Sequence, residues 1–391
     1  MNLYEVQTML TEAGLDGWLL YDFRGINPIA ARVAGLPPEG IFSRRWAYWI
    51  PAQGEPAWLV HAIETAPFQG QDTRVLAYVS WQQLSARLRE LIGNARRIAM
   101  EYSPHNAIPY VSRVDAGSME MIRALGVEVV SSADLVQAVE ACWTPEQLEG
   151  HRKSAAALMQ IKDATFAWIA DQLRAGRAIT EYDAQQEMMR RFADFGLVSN
   201  HPPMVSVNAN SGNPHYLPSP ERHAPIRVGD FVLLDLWAKQ SEPGAVYADI
   251  TWVGFLGKEV PERYTEIFRI VARARDAALA LVQERITAGQ DVCGYEVDDA
   301  ARGVIEEAGY GEYFIHRTGH SLGQEGHGNG VNMDNLETQD RRKLIPGIGF
   351  TIEPGIYLPE FGVRSEIDVY VGEGTVKVTT LPLQTDVLPL L

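Results

Sequence analysis

Cysteine is scarce. Cys142 and Cys293 are the only two in 391 residues, far apart and in no CxxC or zinc-finger spacing. That excludes a disulfide framework and a thiolate metal site, and it fits a reducing, cytoplasmic setting. Positive charge is also in deficit, with 34 Lys and Arg against 50 Asp and Glu for a net charge of −16. Nucleic acid and anionic membranes both require a basic surface, so neither is an expected partner. No stretch of about 18 uninterrupted apolar residues occurs. The opening "MNLYEVQTMLTEAGLDGWLLYDF" lacks the basic start and apolar run of a signal peptide. A soluble, unprocessed protein is expected. Short repeats and low-complexity segments are missing too. What remains is an ordinary globular composition, 46% hydrophobic and 21% charged, in a chain long enough for two domains.

The first part of the chain alternates helix-like and strand-like segments: a helical pattern through Leu3, Val6, Met9 and Leu10, then "GWLLYDF", then a hairpin around "AQGEP". "RRIAMEY", a helix at "GSMEMIRALG" and "VEVVSS" continue it, which predicts an α/β layer with some parallel strands. Near residue 144 the pattern changes. Thr144, Pro145 and Gln147 form a capping-box start to a long helix running through Leu173, and a second helix runs from Thr180 toward Phe195. From about 228 the chain becomes strand-rich, with helices near 262–286 and 295–308, predicting an α+β domain with an antiparallel sheet. The expected domains are 1–143 and 144–391.

Carboxylates in apolar strands carry the chemical signal. Asp235 lies in "GDFVLLDLWAK" and Asp249 in "AVYADITWVGF", joined by the polar turn "KQSEPGA", so a hairpin could turn both to one side. Either alone could cap a turn or satisfy backbone amides. Glu353 shares the face of Thr351 in "GIGFTIEPGIY", while in "GVRSEIDVYVG" Arg364, Glu366 and Asp368 share one face. Taken alone, Glu366 also fits a solvated outer face paired with arginine. "HRTGHSLGQEGH" adds His316, His320 and His327, three of only nine histidines. Four carboxylates with a histidine suit one or two divalent cations such as Mn²⁺, Co²⁺ or Zn²⁺, and two dications would neutralise the four negative charges.

Taken in order, "LLDLWAK", "YADIT", "HRTGHSLGQEGH", "TIEPG" and "VRSEID" resemble the metal-binding motifs of the pita-bread metallopeptidases, the family of methionine aminopeptidase, aminopeptidase P and prolidase. The first 140 or so residues resemble the creatinase-type domain of the prolidase and aminopeptidase P branch. The resemblance implies that Asp235 binds one of two metals, that Asp249 and Glu366 bridge both, and that His320 and Glu353 complete the second. It implies substrate-side roles for His215, His316 and His327, with Arg364 supporting the ligands and substrate. The implied activity is hydrolysis of Xaa-Pro bonds by a hydroxide held between two metals, with Glu353 shuttling a proton and His316 or His327 donating to the oxyanion. The implied partner is a small peptide with proline after its first residue, and the implied assembly a homodimer, for which "FSRRWAYW" is a candidate contact. Trp46 and Trp49 fit the sheet core equally well.

An Xaa-Pro dipeptidase is the leading reading, with aminopeptidase P activity on longer peptides as the alternative and a catalytically inactive binding protein as a third. Creatinase chemistry predicts lost carboxylates, and all five ligand positions are filled. For a dipeptidase, the cluster Arg341, Arg342 and Lys343 offers cations for the substrate carboxylate, or else a solvated helix end. Three features depart from the family: Trp237 where glycine is usual, Trp252 where arginine is common, and a 235–249 hairpin three residues longer than usual. All three bear on the expected pocket shape.

Overall fold

The computed structural model describes residues 2–37, 40, 42–68 and 73–391. It divides into two compact units, Met1–Glu140 and Ala141–Leu391. No helix among the described residues is long and apolar enough to cross a membrane.

The first unit is built on a six-stranded sheet in the order Arg74–Tyr78, Ala57–His61, Arg45–Pro51, Gly17–Phe23, Arg97–Met100, Glu128–Ser131. Its two outer pairings on one side, and the outermost on the other, are parallel, and the hairpin predicted at "AQGEP" supplies an antiparallel centre. Gly17–Phe23 is buried along nearly its whole length because both faces of the sheet are covered, which is why "GWLLYDF" reads as a continuous apolar run. Trp46 and Trp49 are core residues of opposite faces, 2% and 6% exposed.

The second unit opens with the helix Pro145–Arg174, whose start is the expected reciprocal cap: Gln147 N–H donates to Thr144 Oγ1, and Thr144 N–H to Gln147 Oε1. This helix and Glu181–Asp194 cover one face of a sheet whose central hairpin is Phe231–Gln240 with Ala248–Phe255. The period-two rule divides that hairpin cleanly. Val232, Leu234, Leu236, Ile250 and Trp252 face these helices, whereas Leu233 and Val253 join a second core with the helices Glu262–Thr287 and Gly294–Glu307. A second antiparallel sheet, ordered Ser321–Leu322, Gly349–Ile352, Ile367–Gly372, Thr375–Val378, packs on that same side.

Three local expectations are corrected. "GVRSEIDVYVG" is two short strands, Gly362–Arg364 and Ile367–Gly372, with a break at Ser365 and Glu366. Its polar face is no solvated exterior: Glu366 and Asp368 are 3% and 0% exposed. Residues Arg341 to Lys343 form no helix end. Arg342 is buried against Asp340 at 2.6 Å, which commits its charge within the fold, whereas Lys343 makes an exposed pair with Asp291 at 2.5 Å.

Candidate metal centre

The hairpin register sets the first two carboxylates. Asp235 opposes Thr251 and Trp237 opposes Asp249, so Asp235 and Asp249 share a face one step apart. From the second sheet come the remaining groups. Glu366 N–H donates to the Thr251 carbonyl at 3.4 Å, and Thr251 Oγ1 donates to Glu366 Oε2 at 2.7 Å, fastening Glu366 beside the hairpin. Glu353 lies just past the strand Gly349–Ile352, its N–H donating to the Thr318 carbonyl at 2.7 Å. His320 N–H donates to Thr351 Oγ1 at 2.9 Å. Glycine before this histidine is a steric necessity, since a Cβ on Gly319 would lie 1.9 Å from the Thr351 carbonyl oxygen.

Four of these side chains meet, and Asp235 lies near enough to raise the carboxyls of Asp249, Glu353 and Glu366. His320 Nε2 lies 3.4 Å from Glu353 Oε1 and 3.7 Å from Asp249 Oδ2, and ligand atoms of Asp249, His320 and Glu366 all fall within 4.8 Å of one another. Asp235 is paired with the Arg364 guanidinium. Burial pushes the carboxyls of Asp249 and Glu366 well above the usual range, and mutual repulsion among the acids adds to it. Glu353 is pushed up to about 7, again mainly by burial, against the pull of Arg364. Burial holds the His320 imidazole well below its usual value, so it is neutral and able to donate a lone pair.

A cation fits this donor set. Asp249 Oδ1 is buried without a hydrogen-bond partner, which is costly for a carboxylate oxygen unless something positive approaches it. Three or more oxygen donors with one neutral imidazole, closely spaced and short of positive charge, form a site for a divalent transition metal.

Around the cluster the other expected residues separate. Each Arg364 nitrogen has a protein partner: Thr251 Oγ1 at 2.9 Å, Tyr357 Oη at 3.1 Å, and the Asp235 carboxylate. This geometry makes it a brace between ligand-bearing strands. His316 Nε2 lies 2.6 Å from Tyr357 Oη and its Nδ1 2.7 Å from the Arg317 carbonyl, extending the brace outward. The His327 ring packs on His320 at 4.3 Å between centroids and is itself exposed. His215 is exposed on a loop near Asp235, whose carboxyl burial raises against the opposing pull of Arg364 and, more weakly, His215. Trp252, expected to shape the pocket, points away: it is buried on the helix side with the Lys162 ammonium 3.6 Å from its ring centre. Only Trp237 of the two tryptophans borders the cluster.

Sequence reasoning passed over three participants. Thr251 was accessible to it, since it shares the Asp249 face by alternation. Tyr357 was not, because its partners lie across the fold, and for Asp368 alternation gave the face it shares with Glu366 but not its partner: its Oδ2 accepts the Asp249 backbone N–H at 3.0 Å.

A model of metallopeptidase family M24 matches residues 149–373, more than half of the chain. The chain belongs to that family. Every residue of the carboxylate and histidine cluster described above falls inside this span. Among relatives, a probable dipeptidase PepE of Mycobacterium tuberculosis is 29% identical over 360 residues, covering 89% of this chain and 87% of the relative. The Xaa-Pro dipeptidase of Lactobacillus delbrueckii subsp. lactis is 26% identical over 412 aligned positions, covering both chains fully. The crystal structure of dipeptidase PepE from Mycobacterium ulcerans, 22% identical, superposes with a TM-score of 0.71 over 99% of this chain and 96% of that one. The shared fold bears out the pita-bread expectation for an M24 metallopeptidase.

Proposed function

We propose that this M24 metallopeptidase hydrolyses Xaa-Pro bonds and acts on dipeptides. The observation that carries the reading is the convergence of Asp249, His320, Glu353 and Glu366 on one largely buried cluster, with Asp235 beside it and an Asp249 oxygen left unpartnered. The full-length similarity to an Xaa-Pro dipeptidase supports the substrate class.

In this reading those five residues hold two divalent cations, taken as Mn²⁺. When bound, the cations supply Lewis acidity toward the scissile carbonyl and make a water nucleophilic at neutral pH. In this reading Glu353 accepts a proton from the attacking water and returns it to the leaving nitrogen. His327, exposed beside His320, is free to donate to the developing oxyanion. His316 has both ring nitrogens engaged, so its ring is held in one orientation, where with His215 it borders the proline ring of the substrate. Arg364 pairs with Asp235 and aligns it. Residues 144–391 form the catalytic domain and 1–143 a creatinase-like domain, in a cytoplasmic homodimer.

Assaying Ala-Pro beside Ala-Pro-Ala, with chelator and then with added Mn²⁺, tests this. Metal-restored cleavage of Ala-Pro is the expected result. Preference for the tripeptide would instead make the enzyme an aminopeptidase P, and no turnover of either refutes the peptidase reading. Light scattering on the purified protein decides the dimer.

A further inference from the structure

Trp237 stands two residues after Asp235 on the same face of its strand, directly opposite Asp249. Opposed residues of an antiparallel pair have Cβ atoms about 4.5–5.5 Å apart, so the indole starts beside the carboxylate cluster. It is partly exposed, and it is held in place. Its Nε1–H donates to Asn200 Oδ1 at 3.2 Å, and its ring packs against the small apolar group of Trp143, Val246, Tyr247 and Leu322. The loop leading to His327 closes the other side: a Cβ on Gly326 would begin 4.0 Å from Trp237 Cδ1. That loop is tied to the hairpin twice more. Lys239 Nζ donates to the Gln324 carbonyl at 2.6 Å, and Tyr247 N–H donates to the Gly323 carbonyl at 2.9 Å. The lengthened hairpin therefore builds a fixed wall at the edge of the cluster, with the indole as its inner surface.

The wall lies at a definite step along the site. The Asp235–Thr251 pair carries the chain of Arg364, Tyr357 and His316, and the Trp237–Asp249 pair lies about 7 Å further along the strands. Resting on the Xaa-Pro reading, the proline ring meets His316 and His215 at the first step and the residue before proline extends toward the second. We propose that Trp237 is the specificity-determining wall of the pocket for that residue and restricts it to small side chains such as glycine and alanine. A rigid indole where glycine would leave open space fills the volume that a leucine or phenylalanine side chain needs.

The test compares kcat/KM for Ala-Pro, Leu-Pro and Phe-Pro in the Mn²⁺-loaded wild type and in W237A, W237F and N200A, with metal content measured for each. The ratio of two substrates within one preparation cancels any unfolded fraction. The wild type should prefer Ala-Pro, and W237A should raise the Leu-Pro to Ala-Pro ratio at least about tenfold, the scale on which a pocket discriminates a methylene or more. W237F and N200A should move it the same way by less, the second by releasing the indole. A wild type that cleaves these dipeptides with a ratio unmoved in W237A overturns the wall assignment and leaves the Xaa-Pro reading standing. A wild-type preference for Leu-Pro or Phe-Pro that W237A abolishes also overturns it, since the indole would then attract bulk. A wild type that cleaves no Xaa-Pro peptide overturns both.

Discussion

Replacing Arg364 by methionine tests whether the carboxylate cluster depends on one guanidinium when no cation is bound. The side chain is 4% exposed and is shared among Thr251, Tyr357 and Asp235. Methionine fills much of the stem's volume and makes none of those three interactions. Removing one partner from a buried ion pair costs about 3–5 kcal/mol, because the other charge stays behind unpaired. That loss is expected in chelator at pH 8, where Glu353, pushed up to about 7, is ionised and protonation relieves least of the repulsion. Two dications among four carboxylates restore neutrality without the arginine. Saturating Mn²⁺ should therefore recover more than half of the loss, because the folded variant, lacking the guanidinium charge, gains more from the cations than the folded wild type. Denaturant unfolding of wild type and R364M, each with chelator and with Mn²⁺, measures the four stabilities. A loss in chelator below about 1 kcal/mol, the scale of an exposed pair, would refute the argument. So would an equal loss in both conditions.

Among the three histidines of the 316–327 stretch, His320→Ala should lower metal content measured by elemental analysis, whereas His316→Ala and His327→Ala should retain metal and lose turnover; equal metal loss in all three would show the division to be wrong. Gly319→Ala drives a Cβ against the Thr351 carbonyl. It should cost about 1–3 kcal/mol by overpacking and weaken metal binding through the neighbouring His320, and wild-type affinity with wild-type stability would contradict the close approach. Stability should also carry an acid limb from His151. This residue is fully buried, with Nδ1–H donating to the Tyr247 carbonyl at 2.8 Å and Nε2 accepting from Thr379 Oγ1 at 2.7 Å, and burial lowers it to about 4 from 6.5. The unfolded chain therefore takes up the proton first. The contribution is complete above pH 6.5 and is lost as pH falls through 4, reaching about 3 kcal/mol. His151→Gln should flatten that limb in unfolding curves taken between pH 4 and 7, and an unchanged profile would count against a neutral buried ring.

By itself the sequence determined which residues could meet at this centre and much of why. Strand alternation is local, so it put Asp235 and Asp249 on one face of a hairpin and Arg364, Glu366 and Asp368 on one side of their segment before any contact was known. The capping box at Thr144 is equally local, and it set the helix start of the second unit. Periodicity says which side chains share a face and is silent on what covers that face. Packing of the second sheet decided that Glu366 and Asp368 are buried, where isolated alternation also allowed a solvated edge. Packing likewise separated the two tryptophans, with Trp252 under a helix and Trp237 beside Asp249. The pairing of Arg364 with Asp235, 129 residues apart, and the His316–Tyr357 contact across 41 residues depend on which loops fold back together. Those contacts are fixed by the burial of two cores at once, and no window of sequence short enough to read by pattern contains both partners.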